Sequence, residues 1–453
     1  MEKLRQALKV RKGRAILVGA CLGRSHEPDG LVELTSLAQT AGAVVVYKFQ
    51  QKIRKINPST YIGKGKAEQL RTKAKRLNAD IVIFDNDLTP AQIRELEKHI
   101  ETVVIDRSEL ILDIFATRAQ TKQAILQVEL AQLEYTYPRL TRMWSHLDTV
   151  AGAGGGTTAG AVGAIGTRGP GEQQLETDRR LVSKRITDLK RELEEIDSRK
   201  IREIAGRKGL FKICIVGYTN AGKSTLMNAL TGANVFVEDR LFATLDTRTR
   251  KWSPARGLEM LLSDTVGFVK KLPHQLVASF KATLEEAVNA DLLLHVIDAS
   301  SGDALNQIES VNKVLTEIGC ANKPMLKVLN KVDALRKTGD SSRSRPGQPL
   351  QDTAAGFDML QTLHPDAVSI SAKTGFGLEQ LCDVVITKYK GGEVLVRLTG
   401  SIADGRIRSF LLANGEIITE KYSDSSVMLE ARIGRNQLPE LYHLHPETIE
   451  IIE

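Results

Sequence analysis

The sequence predicts an α/β protein of several domains: an N-terminal α/β domain over residues 1–115, a long helical hairpin over 116–208, a larger α/β domain over 209–390 and a small C-terminal α+β domain over 391–453. Three observations predict it. In the first and third segments short apolar runs alternate with amphipathic helical ones, the pattern of strands joined by crossover helices in a mostly parallel sheet. Between them an apolar seam at heptad spacing marks paired long helices. The length of 453 residues exceeds what one core organises, and a composition 42% hydrophobic and 26% charged supplies several cores.

In the first segment strand-like runs fall at 15–18, 44–47, 81–84 and 103–105, with helical stretches at 31–40, 66–77 and 90–99. Lys9, Arg11, Lys12 and Arg14 precede the apolar run 15–20, and Cys21 follows it, as in a lipoprotein signal. The run is shorter than the roughly 7–15 residues of a signal core, so it reads as the first buried strand. No stretch approaches the roughly 20 apolar residues that span a bilayer, and a cytoplasmic protein is expected. Cys21, Cys214, Cys320 and Cys382 lie far apart with no CxxC pair, which argues against a zinc site or a disulfide framework. A net charge of +8 is compatible with nucleic acid as partner. The segment 48–76 concentrates it: Lys48, Lys52, Arg54, Lys55, Lys64, Lys66, Arg71, Lys73, Lys75 and Arg76 face the lone acid Glu68, either as an RNA contact or as a solvated face.

The hairpin begins with a helical pattern from 121 to 137, ended by Pro138. A second helix is expected from 174 to 204, its seam made by Leu175, Val182, Ile186, Leu189, Leu193 and Ile196. The connector 151–171 is mostly Gly, Ala and Thr and cannot pack a core. Two readings stay open: a flexible linker, or a thin tip that enters a narrow space. Arg139, Arg142, Trp144, His146, Arg168, Arg179 and Arg180 flank it, and such groups suit phosphates and bases.

The third segment carries the chemistry. After the apolar strand 211–216 come Gly217, Tyr218, Thr219, Asn220, Ala221, Gly222, Lys223 and Ser224, then Thr225 and a helical run. This is the phosphate-loop pattern in its strand–loop–helix context: glycines let backbone N–H groups surround phosphates, and the helix N-terminus adds its positive end. Lys223 is expected to reach the β- and γ-phosphates and Ser224 to ligate Mg²⁺. Asp264, Thr265, Val266 and Gly267 follow the strand 258–263; Asp264 is expected to hold the metal and the Gly267 N–H to sense the γ-phosphate. Asn330, Lys331, Val332 and Asp333 follow the strand 325–329. A carboxylate at Asp333 can accept both the N1–H and the 2-amino N–H of guanine, a donor pair adenine lacks. Lys331 is expected to pack its stem on the base and Asn330 to tie this loop to the phosphate loop. Ser371, Ala372 and Lys373 complete the set, facing the guanine O6. Phe242, Ala243, Thr244, Leu245 and Asp246 supply the first switch, with Thr244 as the expected third Mg²⁺ ligand and Thr247 as second choice. These motifs predict a P-loop GTPase domain that converts GTP to GDP and phosphate. Phe268 stands where many GTPases place a glutamine that orients the attacking water, so slow intrinsic hydrolysis awaiting a partner is expected. The stretch 334–365, rich in Ser, Arg, Gly, Pro and Gln, reads as a disordered insertion. After Gly391 and Gly392, strands are expected at 394–398, 417–422 and 427–433 and a helix at 406–413.

The whole pattern resembles the HflX-type ribosome-associated GTPases of the Obg-HflX group, on Tyr61 to Lys66, Gln127 to Leu133, Arg168 to Glu172 with Gln174 to Glu176, the phosphate loop and Phe242 to Asp246. Gln173 and Thr247 depart from that pattern. The resemblance implies a monomeric factor that binds the large ribosomal subunit and splits stalled ribosomes under stress, its hairpin tip reaching ribosomal RNA at the peptidyl-transferase centre. It also implies suspected ATP handling by the N-terminal domain, for which the motif at Gly63, Lys64 and Gly65 is too short to assign a site. Rival readings are a ribosome-assembly GTPase, a signalling GTPase with a protein partner and no RNA contact, and an RNA-modification GTPase.

Overall fold

The computed structural model describes residues 13–23, 31–139, 170–205, 210–232, 242, 248–255, 258–270, 286–336, 353–401, 405–423 and 426–452. The first sheet holds β1 (Arg14–Leu22), β2 (Val44–Ile53), β3 (Ile81–Phe84) and β4 (Val103–Asp106), all parallel in the order β2-β1-β3-β4. Burial on both faces makes its central strands continuously apolar rather than alternating. Ile16 and Val18 meet α2 (Lys64–Leu77) and α3 (Pro90–Ile100) on one face. Ala15 and Leu17 meet α1 (Val32–Thr40), α4 (Arg107–Arg118) and α5 (Lys122–Thr136) on the other. Helix starts are written locally: Thr89 caps α3 in a reciprocal box with Gln92 after which Pro90 sets the first turn, Asp106 caps α4, and Thr121 caps α5.

Helix α5 pairs with α6 (Pro170–Ala205) through Leu126, Leu130 and Leu133 against Val182, Leu189 and Leu193, with Ile186 and Ile196 at the margin. From Val182 to Ile196 the expected seam is therefore the packed face. The Arg185 guanidinium spans the two helices to Glu129, at 3.1 Å. Helix α6 starts earlier than its apolar repeat suggests, because Pro170 suits a first helical turn. The glycine-rich connector up to Gly169 lies outside the described residues, as do Arg142, Trp144, His146 and Arg168.

The second sheet has the order β10-β9-β8-β5-β7-β6. Its strands are β5 (Phe211–Gly217), β6 (Arg248–Ala255), β7 (Leu258–Asp264), β8 (Leu292–Asp298), β9 (Met325–Asn330) and β10 (Val368–Ser369). Only β6 runs antiparallel, at the edge. Helices α7 (Lys223–Thr231), α8 (Ala304–Glu317), α9 (Val332–Arg336), α10 (Thr353–Leu363) and α11 (Leu378–Lys390) belong to this part. The reading of 334–365 as disordered needs correction: 353–363 is the helix α10. Its Leu360 is buried with Ile297, Ile308 and Leu329, so an apolar face docks it on the sheet. Local Gly, Ser and Pro content obscured that face. Residues 337–352 lie outside the described residues.

The C-terminal part is an antiparallel sheet, order β12-β13-β11-β14, built from β11 (Glu393–Ser401), β12 (Gly415–Tyr422), β13 (Ser426–Gly434) and β14 (Thr448–Ile451). Ile407 and Leu411 of α12 (Gly405–Asn414) and Leu441 of α13 (Leu438–His443) cover one face. Strand β14 and helix α13 carry too little periodicity to be read from sequence.

The core around α1, α4 and α5 does not stop at the first sheet. Val266 and Val269, which follow β7, and Phe242 pack into it, and the Phe242 ring meets Phe115 edge-on at 4.5 Å. The two α/β units are thus joined at the segment that follows the second nucleotide motif.

Candidate nucleotide site

The parallel strands β5, β7, β8, β9 and β10 end on one edge of the second sheet, where open α/β sheets bind ligands. The loop after β5 is shaped by backbone constraints. At Gly217 a Cβ would overlap the Val296 carbonyl oxygen, and at Gly222 (φ +94°) it would overlap the Asn330 amide. Asn220 takes φ 61°, tolerable for asparagine. Helix α7 then starts at Lys223, its first-turn N–H groups facing the loop.

Lys223 is 6% exposed, and its Nζ donates to the Gly217 and Tyr218 carbonyl oxygens at 3.1 and 2.9 Å. Burial pushes its pKa down to about 8, against the opposing pull of Asp264. Ser224 Oγ donates to Asp264 Oδ2 at 2.7 Å, so a hydroxyl and a carboxylate from separate motifs stand side by side. Hard oxygen donors so paired fit a small divalent cation such as Mg²⁺. Thr265 Oγ1 is tied to the Ile215 carbonyl at 2.7 Å, which fixes the root of the second motif. Beyond it the chain lies on the phosphate loop: the Phe268 N–H donates to Gly217 O at 3.1 Å and the Thr219 N–H to Phe268 O at 2.7 Å. Phe268 is 3% exposed, packed with Tyr218, Ala287 and Ala290. The ring therefore fills the core and offers a water nothing.

Asn330 links three of the motifs. Its Nδ2 donates to Ala221 O at 2.8 Å, and its Oδ1 accepts from the Ala372 N–H at 2.9 Å. Asp333 Oδ1 accepts from Ser371 Oγ at 2.7 Å, which orients the carboxylate. Val332 N donates to Ile370 O, and Thr225 follows in the first turn of α7. Lys331 (φ 67°) pairs its ammonium with Asp298 at 2.7 Å, and Lys373 stays exposed.

The structure therefore brings together residues 217–225, 264–267, 330–333 and 371–373. Phe242 sits against Phe115 instead, while Ala243, Thr244, Leu245, Asp246 and Thr247 lie outside the described residues. Sequence reasoning missed Asp298, whose only signal is its place at the end of β8, and Glu33. Glu33 accepts from Tyr218 Oη at 2.8 Å across 185 residues of chain, a contact with no sequence signal.

A phosphate loop cross-tied through an asparagine to a loop bearing an oriented carboxylate is the arrangement of the P-loop GTPases. Three family models match in succession: a GTP-binding GTPase N-terminal region over residues 29–116, a GTP-binding GTPase middle region over 118–207 and a 50S ribosome-binding GTPase over 212–331. The protein named GTPase HflX from Lacrimispora saccharolytica is 41% identical over 94% of this chain and 95% of its own length. The GTPase HflX of Escherichia coli K12 is 40% identical over 93% of each chain. A GTP-binding protein from the hyperthermophilic archaeon Sulfolobus solfataricus, solved in complex with GDP, is 26% identical with a TM-score of 0.41, covering 83% of this chain and 97% of that one. The chain belongs to the HflX family of GTPases. The resemblance read from the motifs was therefore correct.

Proposed function

We propose that this GTPase is a switch that binds the large ribosomal subunit and splits or rescues stalled ribosomes, with hydrolysis stimulated by the ribosome. The observation that carries the partner is the match of residues 212–331 to a 50S ribosome-binding GTPase model. Partner dependence is supported by Phe268, buried at 3% exposure where a water-orienting side chain would be needed.

In this reading Lys223 neutralises the β- and γ-phosphates, the Gly267 N–H meets the γ-phosphate, and backbone groups of 217–225 cradle the rest. Ser224 and Asp264, joined by Thr244 when the γ-phosphate is present, hold Mg²⁺, which supplies charge compensation on the phosphates. Asp333 reads guanine, Asn330 keeps its loop at the right distance from the phosphate loop, and residues 371–373 face O6. The chain divides into units at 1–115, 116–208, 209–390 and 391–453, acts as a monomer and works in the cytoplasm; among the described residues no helix is long and apolar enough to cross a membrane. The 36 residues of α6 span about 54 Å at 1.5 Å each, a reach that supports the hairpin carrying its glycine-rich tip to ribosomal RNA near the peptidyl-transferase centre.

The test is GTP turnover with and without purified large subunits, with dissociation of whole ribosomes followed by sedimentation, for the full chain and for a chain lacking 162–168. Stimulation and splitting in the full chain, with splitting lost and nucleotide binding kept in the deletion, is the expected result. No stimulation and no splitting by a nucleotide-competent protein would overturn the reading.

A further inference from the structure

The contact between the two α/β units is polar at its centre. Glu33, in the first turn of α1, accepts from Tyr218 Oη at 2.8 Å through Oε1. The same oxygen lies 2.6 Å from Arg107 Nη2, and the other arm of that guanidinium lies 2.7 Å from Asp85 Oδ1. Arg107 is 3% exposed. Tyr218 Oη also accepts from the backbone N–H of Lys270 at 2.7 Å, and that N–H lies 3.4 Å from Glu33 Oε1. The Lys270 ammonium is tied separately to Asp303 at 2.6 Å. One carboxylate of the first unit thus bonds to the second residue of the phosphate loop and, through it, to the chain three residues beyond Gly267.

That chain occupies ground a γ-phosphate needs. A Cβ placed on Gly267 would lie 2.8 Å from Thr219 Cα and 2.9 Å from Lys223 Nζ, so the glycine backbone is already pressed on the loop. A terminal phosphate between Lys223 and the Gly267 N–H requires 267–270 to move outward. A diphosphate, which does not extend to Gly267, requires no such movement. Any interaction that holds 267–270 inward therefore weakens triphosphate binding selectively.

The geometry points to Glu33 as a positioning residue for the GTPase reaction: with Arg107 and Tyr218 it holds residues 267–270 against the phosphate loop, so that the N-terminal sheet sets the preference between GTP and GDP. The bonds involved are charge-assisted and largely removed from water, where such bonds are strongest. Burial and the neighbouring Glu33 raise the Tyr218 pKa, which keeps the phenol neutral and its proton committed to the carboxylate. The inference rests on the nucleotide site and is independent of the ribosomal reading.

The experiment measures affinities of the full-length protein for GDP and for a non-hydrolysable GTP analogue, with Mg²⁺ and without ribosomes, for wild type, Glu33→Ala, Glu33→Gln and Tyr218→Phe. Removing the tether in Glu33→Ala or Tyr218→Phe is expected to shift the GTP-analogue-to-GDP affinity ratio about tenfold toward the analogue, which is about 1.4 kcal/mol. In Glu33→Ala, which lies outside the phosphate loop, GDP affinity itself changes less than about threefold. Glu33→Gln keeps an acceptor for the phenol but loses the Arg107 charge pair, and falls between. A merely structural Glu33 would lower stability or both affinities together and leave the ratio alone; an unchanged ratio overturns the inference. Tyr218→Phe keeps the ring and the Glu33–Arg107 pair, so it decides the matter if Glu33→Ala does not fold. Absence of GDP binding in the wild type would instead sink the site assignment.

Discussion

Asn330→Ala removes a side chain that makes two bonds in a region closed to water. Asn330 is 2% exposed, donates to Ala221 O at 2.8 Å and accepts from the Ala372 N–H at 2.9 Å. Truncation leaves a buried carbonyl and a buried N–H without their partner, at about 1–3 kcal/mol each. Part of that is recovered by relaxation of the loop that Ala372 belongs to, so about 2 kcal/mol of net loss is the working figure. The lost ties connect the phosphate loop to the loops 330–333 and 371–373, so the loss is expected in nucleotide affinity as well as in stability. At about 1.4 kcal/mol per decade, GDP affinity falls roughly 30-fold. Asn330→Asp keeps the acceptor but turns a carboxylate oxygen toward Ala221 O, and is expected to be worse than alanine. Dissociation of a fluorescent GDP measured by stopped flow, together with denaturant unfolding, reads both effects. If Asn330→Ala bound GDP within threefold of wild type and unfolded at the same midpoint, Asn330 would not be the tie between motifs.

Asp333→Asn replaces an acceptor with an amide that presents a donor to the guanine N1–H and 2-amino group; preference is expected to move from guanine to xanthine nucleotides, and competition by xanthosine diphosphate measures it. The pH dependence of stability follows from Lys223, whose folded-state pKa is pushed down to about 8 from 10.5. Between those values the unfolded chain binds more protons than the folded one, so unfolding free energy of the nucleotide-free protein rises as pH goes from about 8 to 10.5. Lys223→Met is expected to lose that rise in denaturant titrations, and an identical pH profile for both proteins would contradict the burial argument.

The elements legible in the sequence are those that depend on neighbours in the chain. Alternating strands and helices announced the first sheet, and the seam of Val182, Leu189 and Leu193 was legible because helix pairing repeats locally. Helix α10 was missed because its docking face, Leu360 with Phe357, is short and directly follows a Ser-, Arg-, Gly- and Pro-rich run, and Leu329 and Ile297 across the sheet make it a face. Strand β14 likewise exists because Val396 and Leu398 of β11 offer an edge.

The sequence by itself determined the phosphate loop, the order of the nucleotide motifs and the nature of their chemistry, because glycine conformation, helix-terminus polarity and carboxylate pairing are properties of a few adjacent residues. Tertiary structure decided what those motifs rest on. Asn330 meets Ala221 across 109 residues, and Glu33 meets Tyr218 across 185. Such contacts form only when distant segments fold together, and the half-buried carboxylate of Glu33 is held between the two units because Arg107 and Tyr218, distant in the chain, arrive at the same place.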